Sequence, residues 1–110
     1  MSIKVQKCDL KFVTLPNNKD NKQYLCVCKA DIQEVFVLSL NKVFSYSEVK
    51  FEGIVSVRDV SKISGVKDKF SYDYNYFGGL YPYSDVELSM SDVRKIERVH
   101  NKDLKKDAKR

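Results

Sequence analysis

Side chains with chemical character crowd into one stretch, FSYDYNYFGGLYPY, which holds seven aromatic rings between residues 70 and 83. Phe70, Tyr72, Tyr74 and Tyr76 share one parity and Ser71, Asp73 and Asn75 the other, so a strand here has one aromatic and one polar face. Gly78-Gly79 supplies the positive φ of a tight hairpin and leaves Phe77, Leu80, Tyr81 and Tyr83 at or near its tip. Rings so placed form the core side of a half-buried strand with phenol tips reaching water, a stacking platform for unpaired bases, or an anchor in another protein or a second copy. Between residues 70 and 91 there are three acidic side chains, Asp73, Asp85 and Glu87, and no lysine or arginine. Cations for a phosphate backbone must therefore come from elsewhere in the fold. The candidate binding set is Tyr72, Tyr74, Tyr76, Phe77, Tyr81 and Tyr83 together with Lys7, Lys11, Lys19, Lys22, Lys29, Lys50 and Arg58.

Catalytic chemistry finds little to work with. The single histidine, His100, has a sufficient structural reason near the end of a helix, where a cation meets the carbonyl end of the dipole. No base held by a third group is evident beside a serine or cysteine. Neither a G-x-G-x-x-G nor a P-loop is present, and the carboxylates are dispersed, so no enzyme activity and no cofactor are expected. Cys26 and Cys28, spaced C-x-C, point to one face of a strand, but a zinc site needs about four ligands and only Cys8 and His100 remain as obvious partners. Small buried hydrophobes are the expected role of these thiols, and no metal is expected. Three cysteines form no complete disulfide framework, which fits a reduced compartment.

A chain of 110 residues with 43% hydrophobic and 32% charged side chains is expected to form one globular domain, here residues 1–100, with residues 101–110 as a basic, flexible tail. No apolar run is long enough to span a bilayer and no leader pattern opens the sequence, so a cytoplasmic protein without membrane contact is expected. The net charge of +5 favours a polyanionic partner. Residues 1–69 carry 12 basic and 8 acidic side chains and residues 92–110 carry 8 and 4, so the aromatic stretch is an acidic island between basic flanks.

The positioning elements are mostly strands. IKVQKCDLKFVTL alternates with a phase slip near Gln6 and Lys7, which predicts one long strand with a bulge. YLCVC (24–28) and VFVLSL (35–40) read as hairpin-related strands, and PNNKDNKQ (16–23) as a solvated loop. VKFEGIVSVRDV resumes the alternation, with Gly53 marking a bulge or bend, and SKISGVKDK is a loop or a single helical turn. DVELSM puts Val86, Leu88 and Met90 on one face. Val93, Ile96 and Val99 recur at helical spacing behind Ser89 or Ser91 as cap and Asp92 in the first turn, predicting a short helix in SDVRKIERVH, with a strand as the competing reading. The sum is a mainly β fold: a small five- or six-stranded OB-like barrel or sandwich with a short C-terminal helix and basic tail.

A small, basic, mostly β chain with a tyrosine-rich hairpin resembles the compact single-stranded DNA-binding proteins of filamentous phages. The likeness covers residues 3–90 and lies in size, strand pattern and aromatic content. It implies an OB-like barrel, homodimerisation and coating of single-stranded DNA. YLCVC, VFVLSL and VKFEGIVSV would then be barrel strands, loop 16–23 a wing, and the aromatic hairpin a stacking or dimer contact. The acidic hairpin and the basic tail depart from that pattern. The functional expectation is a non-enzymatic binder of single-stranded nucleic acid that uses tyrosines for bases and lysines for phosphates. The alternative is a protein-binding accessory or inhibitor factor, phage-encoded, that docks through hairpin 70–83.

Overall fold

The computed structural model describes residues 2–6, 9–16, 21–29, 31–55, 60, 62–66, 69 and 85–108. Strands β1 (Ser2–Gln6), β2 (Leu10–Thr14), β3 (Gln23–Lys29), β4 (Glu34–Val37), β5 (Lys42–Ser45), β6 (Lys50–Ile54) and β7 (Asp85–Ser89) precede a 19-residue helix, α1 (Met90–Ala108). The mainly β class and the C-terminal helix agree with expectation. Seven strands are described where five or six are expected; they form two open antiparallel sheets, β1-β7 and β5-β4-β3-β2-β6, and no ladder among the described residues closes the larger one into a barrel, one of the two expected architectures.

Two sequence readings need correction. The phase slip in IKVQKCDLKFVTL is a change of sheet, because β1 pairs with β7 whereas β2 pairs with β3 and β6. Residues 101–108, expected as a tail, continue the helix. They are held there because Asn101 bonds to Gln23 and Asp103 pairs with Lys62 at 3.7 Å. His100 is therefore well inside the helix, and its ring lies flat on Phe12 with centroids 3.6 Å apart.

The five-stranded sheet is a four-stranded meander, β2 to β5, whose last strand passes through a 3-10 turn at Tyr46–Glu48 into β6, which pairs with β2. The two edge strands thus follow one another in the chain, and the sheet curls enough for Tyr46 to meet the Phe51 ring edge-on at 5.1 Å. Opposite Phe12 and Val13, β6 spends three residues, Phe51 to Gly53, so the bulge expected beside Gly53 is present and leaves Glu52 as the extra residue. Its consequence is that Phe51 and Ile54, three apart in sequence, face the same way, each opposite a residue of one parity on β2.

One face of this sheet carries the main core. Leu10, Phe12, Leu25, Val27 and Leu38 are buried against Val93 and Ile96 of α1, Val86 and Leu88 of β7, and Val60, Ile63 and Val66 of the connecting segment. The connecting segment turns through successive bonds from Ile63 N–H to Val60 and from Val66 N–H to Ile63, as its loop-or-turn reading anticipates. Helix α1 starts where the capping pattern places it. Ser89 Oγ accepts from Asp92 N–H at 3.1 Å, and the Asp92 carboxylate accepts from Ser89 N–H at 2.9 Å.

The same helix also completes the sheet. Past Val37 the chain leaves β4 for a 3-10 turn at Leu38–Leu40, so β3 loses its neighbour beyond Cys26. Glu97 Oε2 accepts the orphaned Leu25 N–H at 2.8 Å and the Ser39 hydroxyl at 3.0 Å. One turn on, the Asn101 amide accepts from Gln23 N–H at 2.8 Å and donates to Gln23 C=O at 2.9 Å, as an adjacent strand would.

Candidate nucleic-acid interface

Residues opposite one another in an antiparallel ladder share a face, and alternate residues change face. Applied to the second face of the large sheet, the register collects Lys11 and Val13 of β2, Tyr24, Cys26 and Cys28 of β3, and Val35 and Val37 of β4. Lys42 and Phe44 of β5 and Phe51 and Ile54 of β6 complete it. Its centre, Val13, Cys26, Val35 and Val37, is sealed, with Leu15, Tyr24, Phe44, Tyr46 and Val49 packed around it. The rings that seal it are themselves only half-buried, and Phe51 and Ile54 stand 39% and 63% exposed at the edge.

Lysine ammonium groups are in place over these rings. Lys22 Nζ sits 4.8 Å from the Tyr24 centroid and Lys42 Nζ 5.8 Å from that of Phe44, both within cation–π range. Among the described residues the strand positions of this face include no carboxylate. The nearby Asp31 stands in the β3–β4 turn, close enough for its charge to act on Tyr46. Half-buried rings flanked by cations, on a face whose described strand positions carry no acid, are the elements from which proteins build contacts to unpaired bases and their phosphates.

Behind the rings lies a thiol–phenol pair. Cys28 Sγ and Tyr46 Oη are 2.8 Å apart, and this hydrogen bond, with burial, pushes the Tyr46 phenol up to about 12. Burial, and then the neighbouring Cys28, push the Cys26 thiol up to about 12 as well. The Cys26 thiol is thus not set up as a nucleophile, which depends on a lowered pKa. No group of three or more histidine, cysteine or acidic side chains among the described residues is placed to hold a metal.

The sequence-derived candidates scatter. Lys11 and Lys22 lie on the ring-bearing face, whereas Lys50, opposite Thr14, turns to the other face and pairs with Glu52 at 3.9 Å. Lys29 ends β3. Tyr72, Tyr74, Tyr76, Phe77, Tyr81, Tyr83, Lys7, Lys19 and Arg58 lie outside the described residues. Sequence reasoning missed Tyr24, Phe44, Tyr46, Phe51 and Lys42, since single rings dispersed over four elements become neighbours only through strand pairing. An open cleft of about 640 Å³ lined by Lys4, Val5, Gln6, Asp9, Val27, Asp31 and Asp85 is the acidic counterpart of the ring face, and its carboxylates repel phosphate. No helix among the described residues is long and apolar enough to cross a membrane. No protein-family model, curated protein or solved structure matches the chain.

Proposed function

We propose that the protein is a non-enzymatic nucleic-acid-binding protein that takes single strands across the ring-bearing face of its five-stranded sheet. The observation that carries this reading is the conjunction on one face of half-buried Tyr24, Phe44 and Tyr46, the exposed Phe51, and Lys11, Lys22 and Lys42, with no carboxylate at its described strand positions. Unpaired bases present the π-faces that such rings accept, and phosphates meet the lysines. The tyrosines of segment 70–83 are further stacking candidates in the same reading. Duplex bases are already stacked on one another, so the rings favour a single strand.

The test is fluorescence anisotropy of a labelled 20-nucleotide oligo-dT, with a duplex of equal length as comparison, at two salt concentrations. Tyr24→Leu keeps apolar cover over the sealed centre and removes the ring. It is expected to weaken single-strand binding by about 1–3 kcal/mol, roughly 5- to 150-fold, with the melting temperature held. Lys42→Glu is expected to weaken binding and flatten its salt dependence. No binding at low salt by the unaltered protein would remove nucleic acid from the account and leave the exposed Phe51 and Ile54 as a protein-docking edge.

A further inference from the structure

Helix α1 sorts its charges around its circumference. At about 100° per residue, Arg94, Lys105, Arg98, Lys102 and Lys95 fall in succession within an arc of about 100°. Four of them, Arg94, Arg98, Lys102 and Lys105, are exposed. Three acids of the helix, Asp92, Glu97 and Asp103, lie outside that arc and are engaged by the rest of the protein. Asp92 pairs with Lys69 at 2.5 Å, Asp103 with Lys62 at 3.7 Å, and Glu97 is buried against Leu25 and Ser39. Among the described residues no ion pair occupies any of the five cations.

The placement of this arc matters as much as its charge. Val93 and Ile96 fix α1 on the main-core face of the sheet, while Tyr24, Phe44 and Tyr46 pack against the opposite face. The two cationic surfaces therefore look away from each other across the sheet. Arg94 and Lys105 are eleven residues apart, so the ridge is about 16 Å long at 1.5 Å per residue. A duplex presents one phosphate charge per about 1.7 Å of its axis, a density that a ridge of this length can engage at several points. The arc carries no ring or aliphatic side chain among the described residues, so it has nothing with which to stack on a base or insert into a lipid layer. Its complement is a phosphate backbone met by charge alone, without sequence readout.

We propose that the outer face of α1 is a second nucleic-acid-binding surface, so that one protein molecule holds a single strand on its ring face and a second nucleic-acid segment on α1, bridging the two. The proposal rests on the single-strand reading of the ring face. It is tested by capture: biotinylated oligo-dT on beads is saturated with protein, washed, and offered a fluorescent duplex of 30 base pairs. The unaltered protein is expected to retain the duplex on the beads, and retention is expected to fall steeply with salt. The triple variant Arg98→Glu/Lys102→Glu/Lys105→Glu changes only exposed side chains. It is expected to hold oligo-dT within about threefold of the unaltered protein while duplex capture falls at least tenfold, a loss that follows from replacing three phosphate contacts by repulsion. The neutral variant Arg98→Gln/Lys102→Gln/Lys105→Gln is expected to fall between them, with circular dichroism confirming that both fold. Protein that coats the beads but captures no duplex overturns the bridging and leaves the ring face standing. Capture undiminished in the triple glutamate variant also overturns it, placing bridging in self-association. Protein retained by neither nucleic acid overturns both readings.

Discussion

Glu97 gives the sharpest test of how helix and sheet depend on each other. Its carboxylate is 3% exposed, and both the Leu25 N–H and the Ser39 hydroxyl donate to one oxygen, Oε2. Glu97→Ala leaves the Leu25 N–H buried without an acceptor, at a cost of about 1–3 kcal/mol. With the lost packing of the buried stem the expected destabilisation is about 2–4 kcal/mol, or about 8–16 °C in melting temperature for a domain of this size. Glu97→Gln can set its carbonyl oxygen where Oε2 stands and keeps both donors satisfied, so it is expected within about 1 kcal/mol of the unaltered protein. The two variants also separate in pH. Burial raises the Glu97 carboxyl above its ordinary 4.5, so the folded state holds this proton to higher pH than the unfolded chain does. The group's contribution is therefore full below 4.5 and is lost as pH rises through the folded value. Thermal melts from pH 4 to 8 are expected to show that decline in the unaltered protein and not in Glu97→Gln. An alanine variant as stable as the glutamine variant, or a glutamine variant that keeps the decline, would refute the role given to this carboxylate.

Asn101→Ala removes the acceptor for Gln23 N–H and the donor to Gln23 C=O, and is expected to cost about 1–3 kcal/mol in urea unfolding, whereas a basic tail outside the fold would tolerate it. Ser89→Ala is expected to lose about 1 kcal/mol with the helix cap, read in the same way. Asp92 has the opposite pH sign to Glu97. Burial by itself raises its carboxyl, but the Lys69 hydrogen bond and the two from Ser89 outweigh that and hold it below 3.8. Its contribution is present above that value and is lost as pH falls through the folded one, and Asp92→Asn is expected to flatten the acid limb of the stability curve. Cys26 and Cys28 are buried, and with the Cys26 thiol at about 12, iodoacetamide at pH 8 is expected to label their shared peptide only after denaturant is added, as read by mass spectrometry.

Much of the fold is legible in the sequence where one physical signal dominates. Alternation gives β3, β7 and the first half of VFVLSL, whose last three residues form a 3-10 turn in place of the expected strand; the glycine gives the bulge in β6, and Ser89 with Asp92 gives the start of α1. Strand β5 went unread because it is an edge strand whose Lys42 and Val43 are both exposed and whose Phe44 and Ser45 are both half-buried, so it has no two-residue period. In the sequence Glu97 looks like an ordinary surface position on a charged helix, and Asn101 falls in the expected tail. Their roles arise from the departure of β4 into a 3-10 turn, which strips β3 of a partner at a place no local pattern marks. The ring-bearing face was missed for a similar reason, since its rings come from four separate elements that only the pairing of the strands brings together.

A net charge of +5 says only that cations exceed acids, and the fold decides where that excess can act. Along SDVRKIERVHNKDLKK positive and negative side chains are interspersed, and no long run of one sign stands out. Winding it into a helix moves Arg94, Arg98, Lys102 and Lys105 to the outside, and packing that helix spends Asp92, Glu97 and Asp103 on Lys69, the β3 backbone and Lys62. Each acid drawn inward leaves the outer arc with one fewer carboxylate to neutralise it. In the proposed reading the stability of α1 and its capacity to meet phosphates are in this way linked. Replacing Asp103 by asparagine breaks only the exposed pair with Lys62, so its cost in stability is expected to be below about 1 kcal/mol. It also removes a negative charge beside the arc and is expected to strengthen duplex binding by the α1 face, measured by anisotropy at low salt. Duplex binding weakened by that change would show that the sorting of charge around α1 serves the fold alone.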